Sequence, residues 1–281
     1  MALLLPACAV PAAPAFLGAP YAPRPDGRRI DVAAAADLGR AAFFDPSLSA
    51  SGRTACASCH DPRFAYGPPN GESVQWAGRD GRRAGTRAAP SLRYLQTLGP
   101  FTEHHFDNDG DDSIDAGPTG GHTWDGRASS PHEQATLPLL SPTERANASA
   151  ADVVRRLRQG PLAEGLRRVY GADVFASDER AFQALLVALE VFQQSPRDFY
   201  PYSSRYDEVL RGRAVLSERE ARGLALFNEP AKGNCASCHP SGRTPDGAFP
   251  LFTDFGFIAL GVPRHRGLSA NADPAFHDLG L

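Results

Sequence analysis

One pentapeptide occurs twice in the chain, as Cys56-Ala57-Ser58-Cys59-His60 and as Cys235-Ala236-Ser237-Cys238-His239. In each copy a Cys-x-x-Cys pair of thiols stands directly before a histidine. This is the attachment pattern of a c-type haem: the sulfurs form thioethers to the two porphyrin vinyl groups, and the imidazole becomes the proximal iron ligand. The spacing puts both sulfurs on one turn of chain, along one edge of the macrocycle, with the histidine beneath the iron. Two other chemistries use such thiols. A thioredoxin-like redox pair needs Cys-x-x-Cys but no histidine after it. Four cysteines could share one Zn²⁺, but zinc ribbons hold their halves close in sequence, and these two lie far apart. The sequence therefore predicts two covalently bound haem c groups, held by Cys56, Cys59, Cys235 and Cys238, with His60 and His239 on the metals. Of the 5 cysteines, only Cys8 stands outside the pattern.

The elements that must position these motifs are helical. A chain of 281 residues allows one large or two ordinary domains, and 42% hydrophobic with 22% charged residues can bury a core. A net charge of −3 argues against a nucleic-acid partner. The 27 glycines and 25 prolines point to long loops. Leu38-Gly39-Arg40-Ala41-Ala42-Phe43-Phe44 leads into the first motif, and Arg222-Gly223-Leu224-Ala225-Leu226-Phe227 into the second. This internal repeat of helix, turn and anchor implies two lobes. Ser130-Pro131-His132-Glu133 and Ser217-Glu218-Arg219-Glu220 read as capping boxes that open helices; Pro138 is expected to end the first. Residues 152–158 and 162–170 read as a helical pair broken at Gly160-Pro161. Residues 178–194 carry Phe182, Leu185, Leu186, Leu189 and Phe192 on one stripe, an amphipathic helix. No stretch shows sustained strand alternation. The expected class is all-α, two cytochrome-c-like haem lobes with long loops. The seam is expected near 175–178 or within 195–206. The division adopted is 1–22 signal-like, 23–176 first haem domain and 177–281 second.

Residues 1–20 are mostly Ala, Leu and Pro, with the small-residue run Ala12-Ala13-Pro14-Ala15 behind a short apolar stretch. This resembles a secretory signal, although no Lys or Arg precedes it. Leu5-Pro6-Ala7-Cys8 alternatively reads as a poor lipoprotein cleavage site. No later segment is long and apolar enough to cross a membrane. Bacterial haem attachment to cysteines occurs outside the cytoplasm, so the expected location is the periplasm.

Further motifs follow in order: Leu38-Gly39-Arg40, Phe44-Asp45-Pro46, Arg87-Ala88-Ala89-Pro90-Ser91-Leu92 and Trp124-Asp125-Gly126-Arg127. Gln134 and Glu144 come at ten-residue intervals after Trp124, and Phe252-Thr253-Asp254 and Gly261-Val262-Pro263 after the second haem motif. From about Leu38 to the last residue the chain resembles the bacterial di-haem cytochrome c peroxidase family, which includes di-haem oxidases that modify tryptophans of partner proteins. The resemblance implies that His60 anchors the peroxidatic haem and that Glu144 and Gln134 face its open side. It also implies that Trp124 relays electrons between the haems and that His239 anchors the electron-transfer haem. The chemistry agrees. Peroxide reduction moves a proton from one oxygen to the other so that water leaves, and a carboxylate such as Glu144 can carry it. The Gln134 amide can hydrogen-bond and place the oxygen, and an indole is oxidisable by one electron. The bland alternatives are a solvated loop Glu, a surface Gln and a core Trp.

The implied reaction reduces hydrogen peroxide with electrons from a small cytochrome c or copper protein. The alternatives are oxidation of a protein substrate, with the acidic insertion as a docking loop, and electron transfer without catalysis. Three departures from the family matter. Many members carry a second histidine where this chain has Trp76, so an accessible five-coordinate first haem is expected, with Trp76 read as packing. Ala88 replaces an Asn that ligates an inter-haem Ca²⁺. The insertion Asp107-Asn108-Asp109-Gly110-Asp111-Asp112-Ser113-Ile114-Asp115 resembles a calcium loop, and otherwise a solvated acidic turn. His104, His105 and His122 near it read as surface residues, the alternative being the pocket. The family's sixth ligand to the second haem, Met or Tyr, has no counterpart: the only Met is Met1 and the sequence stops at Leu281. The chain is therefore expected to be C-terminally incomplete. His265 and His277 are within reach by length but do not match the ligand position.

Overall fold

The computed structural model describes residues 29–104 and 117–278. The signal-like segment, Cys8, His105, the acidic insertion and the last three residues lie outside them. Helix α1 (Val32–Phe44) starts where the Asp31 carboxylate accepts the amides of Ala33 and Ala34 at 2.9 and 3.1 Å. Its buried residues Ala35, Leu38, Gly39, Ala42 and Phe43 fall at helical spacing on one stripe. That stripe lies on helix α5 (Asp178–Gln193), which is buried on nearly every side from Ala181 to Leu189 and again at Phe192. The contact is close because position 39 has no side chain: a Cβ there would stand 1.8 Å from the Ala188 carbonyl oxygen.

Three further helices complete this body: α2 (Pro131–Leu140), α3 (Ala150–Gln159) and α4 (Ala163–Tyr170). Helices α2 and α3 pack on α5, and α4 closes against α1 and α5. The break between α3 and α4 falls at Gly160-Pro161, as expected. Ser130 caps α2 by accepting the Glu133 amide at 3.2 Å, while the Glu133 carboxylate accepts from the Ser129 amide at 2.8 Å, one residue before the cap. Pro138 does not end α2, which runs on to Leu140. A proline costs the helix one amide and crowds the carbonyl four residues back, which is tolerable in the last turn. The chain then turns through Asn147. This buried side chain donates to the carbonyls of Leu48 and Leu139, both at 2.9 Å, and accepts from Arg156 Nε at 3.1 Å. Asn147→Ala orphans these groups and is expected to lower the unfolding free energy by about 2–3 kcal/mol, measured by urea titration.

The core members run from Ala35 to Phe199. The adopted division at 176/177 therefore cuts through one core, because α5 is the element that α1, α2 and α3 share. The alternative seam, within 195–206, falls where that core ends. After it come the short helices α6 (Pro196–Phe199) and α7 (Arg205–Leu210), then α8 (Glu218–Asn228), which has the expected capping box at Ser217 and Glu220 but no buried residue. The second pentapeptide and the loops to 278 complete the described chain. One antiparallel pair, β1 (Trp76–Ala77) and β2 (Arg83–Ala84), departs from the wholly helical expectation. Two residues per strand are too few to show as alternation in the sequence.

Candidate active site

Both pentapeptides fold alike. Cys56–Ser58 and Cys235–Ser237 form tight turns in which the His60 and His239 amides donate to the Cys56 and Cys235 carbonyls, each at 2.9 Å. All four thiols are free. Each imidazole is fixed from behind. His60 Nδ1 lies 3.1 Å from the Tyr66 carbonyl and 3.0 Å from that of Pro90; His239 Nδ1 lies 2.8 Å from the Phe252 carbonyl. A carbonyl has no proton to give, so Nδ1 carries it and Nε2 keeps its lone pair. This is the arrangement of a metal-ligating histidine. Tyr66 and Phe252 both sit in left-handed backbone, at φ 56° and 57°, a conformation costly for aromatic residues. The Tyr66 ring is held by stacking with Phe199 at 4.3 Å and edge contact with Phe43 at 5.7 Å. Burial pushes the His60 imidazole below its ordinary pKa, favouring the neutral ligand form. Burial first, then the Glu144 carboxylate, pushes the Cys59 thiol up to about 11.

His60 opens on a cavity of about 900 Å³ whose wall includes Cys59, Trp124, Gln134 and Glu144. The four elements that deliver these side chains are built differently. Gln134 projects from α2, which is tied to α5 by His132 Nδ1 and Glu190 Oε2 at 2.5 Å. Glu144 ends a turn in which its amide donates to the Ser141 carbonyl at 3.1 Å, and its own carbonyl accepts from Gly78 at 2.8 Å. Its carboxyl is raised by the protein around it, against weaker opposing pulls from Ser141 and Arg145. Trp124 stands on a narrow loop closed by the His122 amide donating to the Ala128 carbonyl at 2.7 Å. The loop is tight enough that a Cβ on Gly121 would meet the Gly126 carbonyl oxygen at 2.2 Å. The Trp124 indole donates to the Ala88 carbonyl at 2.7 Å and lines the cavity, outside the helical core cluster. Beside it, Asp125 accepts from Thr123, Arg127 and Arg87, which hold its carboxyl far below the usual range. Arg87 also pairs with Asp278 at 2.6 Å.

The structure thus brings together His60, Cys59, Trp124, Gln134 and Glu144. Two readings change. His122 lines the cavity and is buried, with no partner at Nε2, whereas the surface was expected; its place two residues before Trp124 was the available signal. Trp76 is 59% exposed and packs nothing away. His277 lines the same cavity as His60, while His265 Nε2 meets Ser73 Oγ at 3.2 Å. His104 is exposed, as expected. His239, at the second turn, is exposed as well. Free thiols on one turn, a lone pair aimed by a fixed Nδ1 and a cavity at the upper end of the usual ligand range all fit a haem at the first site. The same turn and fixed imidazole recur at the second.

A helical body holding a Cys-x-x-Cys-His turn beneath a carboxylate-bearing cavity defines a class of haem redox protein. Residues 33–215 match the family described as di-haem cytochrome c peroxidase, and the chain belongs to that family. The methylamine utilization protein MauG of Paracoccus denitrificans is 35% identical over 234 residues, 82% of this chain and 57% of its own. The cytochrome c551 peroxidase of Nitrosomonas europaea is 28% identical over 208 residues, 73% of this chain and 51% of its own. The crystal structure of the diheme peroxidase BthA from Burkholderia thailandensis superposes with a TM-score of 0.79 at 38% identity, covering 91% of this chain and 61% of that one. The chain therefore spans less than two thirds of the length of these relatives. Among the described residues no helix is long and apolar enough to cross a membrane.

Proposed function

We propose that this chain is the larger part of a periplasmic di-haem peroxidase that reduces hydrogen peroxide to water, taking electrons from a small cytochrome c or copper protein. The observation that carries the reading is the convergence of His60, Gln134, Trp124 and Glu144 on one cavity. Cys56 and Cys59 would hold the first haem with His60 as ligand, and Cys235, Cys238 and His239 the second. The bound haem supplies the iron at which the O–O bond is reduced. One peroxide consumes two electrons and two protons and yields two waters. Glu144 takes a proton from the near oxygen and returns it to the far one. The Gln134 amide orients the oxygen, and the Arg87–Asp125 pair positions the loop of Trp124, the relay.

A second reading, oxidation of a partner protein, is favoured by Trp76. At the position where many family members have a histidine it faces outward and offers no ligand to the cavity. Peroxide added to the reduced, full-length protein with a reduced cytochrome donor separates the readings. Rapid donor oxidation supports the peroxidase. A long-lived oxidised state that spares the donor supports the partner oxidase, and no reaction leaves an electron carrier. Haem attachment is tested independently. Acid-acetone extraction should leave both haems on the chain, and replacing Cys56 and Cys59 together by Ser should remove one of them, read as a halved haem-to-protein ratio.

A further inference from the structure

The strand that walls the cavity has an outer face with no role in the reaction above. Gln75 and Ala77 line the cavity. Side chains alternate along a strand, so Trp76 between them points out and is 59% exposed. Beyond β1 the chain turns back through residues 78–82 to β2. Gly78, at φ 81°, lies so near the loop carrying Glu144 that a Cβ would stand 2.9 Å from the Pro142 carbonyl oxygen, and its amide holds the Glu144 carbonyl. The hairpin is thus fixed to the active-site loop.

Its outer surface is basic. Arg79, Arg82 and Arg83 are exposed, and Arg53 Nη2 reaches to 3.9 Å from where a Cβ on Gly81 would stand. The carboxylates of segment 70–84 are Glu72 and Asp80, and Asp80 is engaged by the Arg82 amide at 3.0 Å. None of the four guanidinium groups joins an ion pair among the described residues. This concentration of positive charge sits on a chain of net charge −3. Exposing an indole contributes nothing to folding, whereas Trp and Arg are the side chains that dominate protein–protein binding energy. A membrane surface is usually met by an amphipathic helix, and here the element is a short rigid hairpin.

We propose that the outer face of the 75–84 hairpin is a docking surface for an acidic protein, with Trp76 as the anchor and Arg53, Arg79, Arg82 and Arg83 as its charged rim. The partner would sit one residue's thickness from the cavity. The proposal concerns binding and does not depend on peroxide turnover.

The test uses the full-length haem-loaded protein at low ionic strength. The probes are plastocyanin, a small acidic copper protein, a basic cytochrome c as control, and phosphatidylglycerol vesicles. Calorimetric titration should show plastocyanin binding that Arg79→Glu, Arg82→Glu and Arg83→Glu together weaken by at least about tenfold. Trp76→Ala should weaken it about fivefold or more, and added salt should erode it. Bound plastocyanin should also slow oxidation of Trp76 by N-bromosuccinimide in the unmutated protein, a measurement that stands if the charge-reversed hairpin misfolds. The proposal is overturned by absent plastocyanin binding, by equal binding of the variants, by preference for the basic cytochrome, or by vesicle binding in place of protein binding.

Discussion

Replacing Glu144 by Gln is expected to lower kcat/KM for hydrogen peroxide by about 10²- to 10⁴-fold, the range associated with one positioned proton carrier, while both haem spectra stay unchanged. Gln keeps the shape of the side chain and its hydrogen bond to the Ser141 turn but cannot take up a proton. The pH profile gives a second check. Burial raises the Glu144 carboxyl, and the carrier must start ionised. Activity should therefore rise with pH through a limb lying above the ordinary Glu value of about 4.3, and that limb should be missing in Glu144→Gln. Unchanged turnover in the variant would remove Glu144 from the chemistry.

The largest stability effect is expected at Gly39→Ala, where one methyl group is enough. The added carbon would overlap the Ala188 carbonyl oxygen, which belongs to the backbone of α5 and cannot rotate away. Relief requires α1 and α5 to separate along the contact that organises the core. A cost of about 3 kcal/mol, the upper end for overpacking, corresponds to a fall in Tm of roughly 6–12 °C for a domain of this size. Differential scanning calorimetry on the haem-loaded protein measures it. Gly223, in the matching place before the second motif, has nothing within 4 Å of its missing Cβ, so Gly223→Ala should leave Tm nearly unchanged. Equal effects at the two positions would show that the repeated sequence conceals no difference in packing.

These contrasts show what sequence can carry. The two turns were legible because Cys-x-x-Cys-His fixes its own local fold, and the two copies fold alike. α5 was legible because its apolar stripe has no competing period. The helix end at Leu140 was not, since a proline in a last turn removes one bond without breaking the helix. The sequence left two seams open because α5 follows a loop that looks like a linker, and only packing shows that the helix meets α1, α2 and α3. The carbonyls behind the imidazoles, from Tyr66, Pro90 and Phe252, carry no residue signature: left-handed backbone at Tyr or Phe is imposed by surroundings. Trp76 and His122 were misjudged for a related reason, because residue type does not say which side of a wall a side chain takes.

The two imidazoles differ in how their Nδ1 protons are shared. That of His60 is divided between two carbonyl oxygens, that of His239 goes to one. The expected consequence is a difference in freedom: two acceptors on different segments fix the tilt of the His60 ring in two directions, whereas the His239 ring, tied to one, can pivot about that single bond.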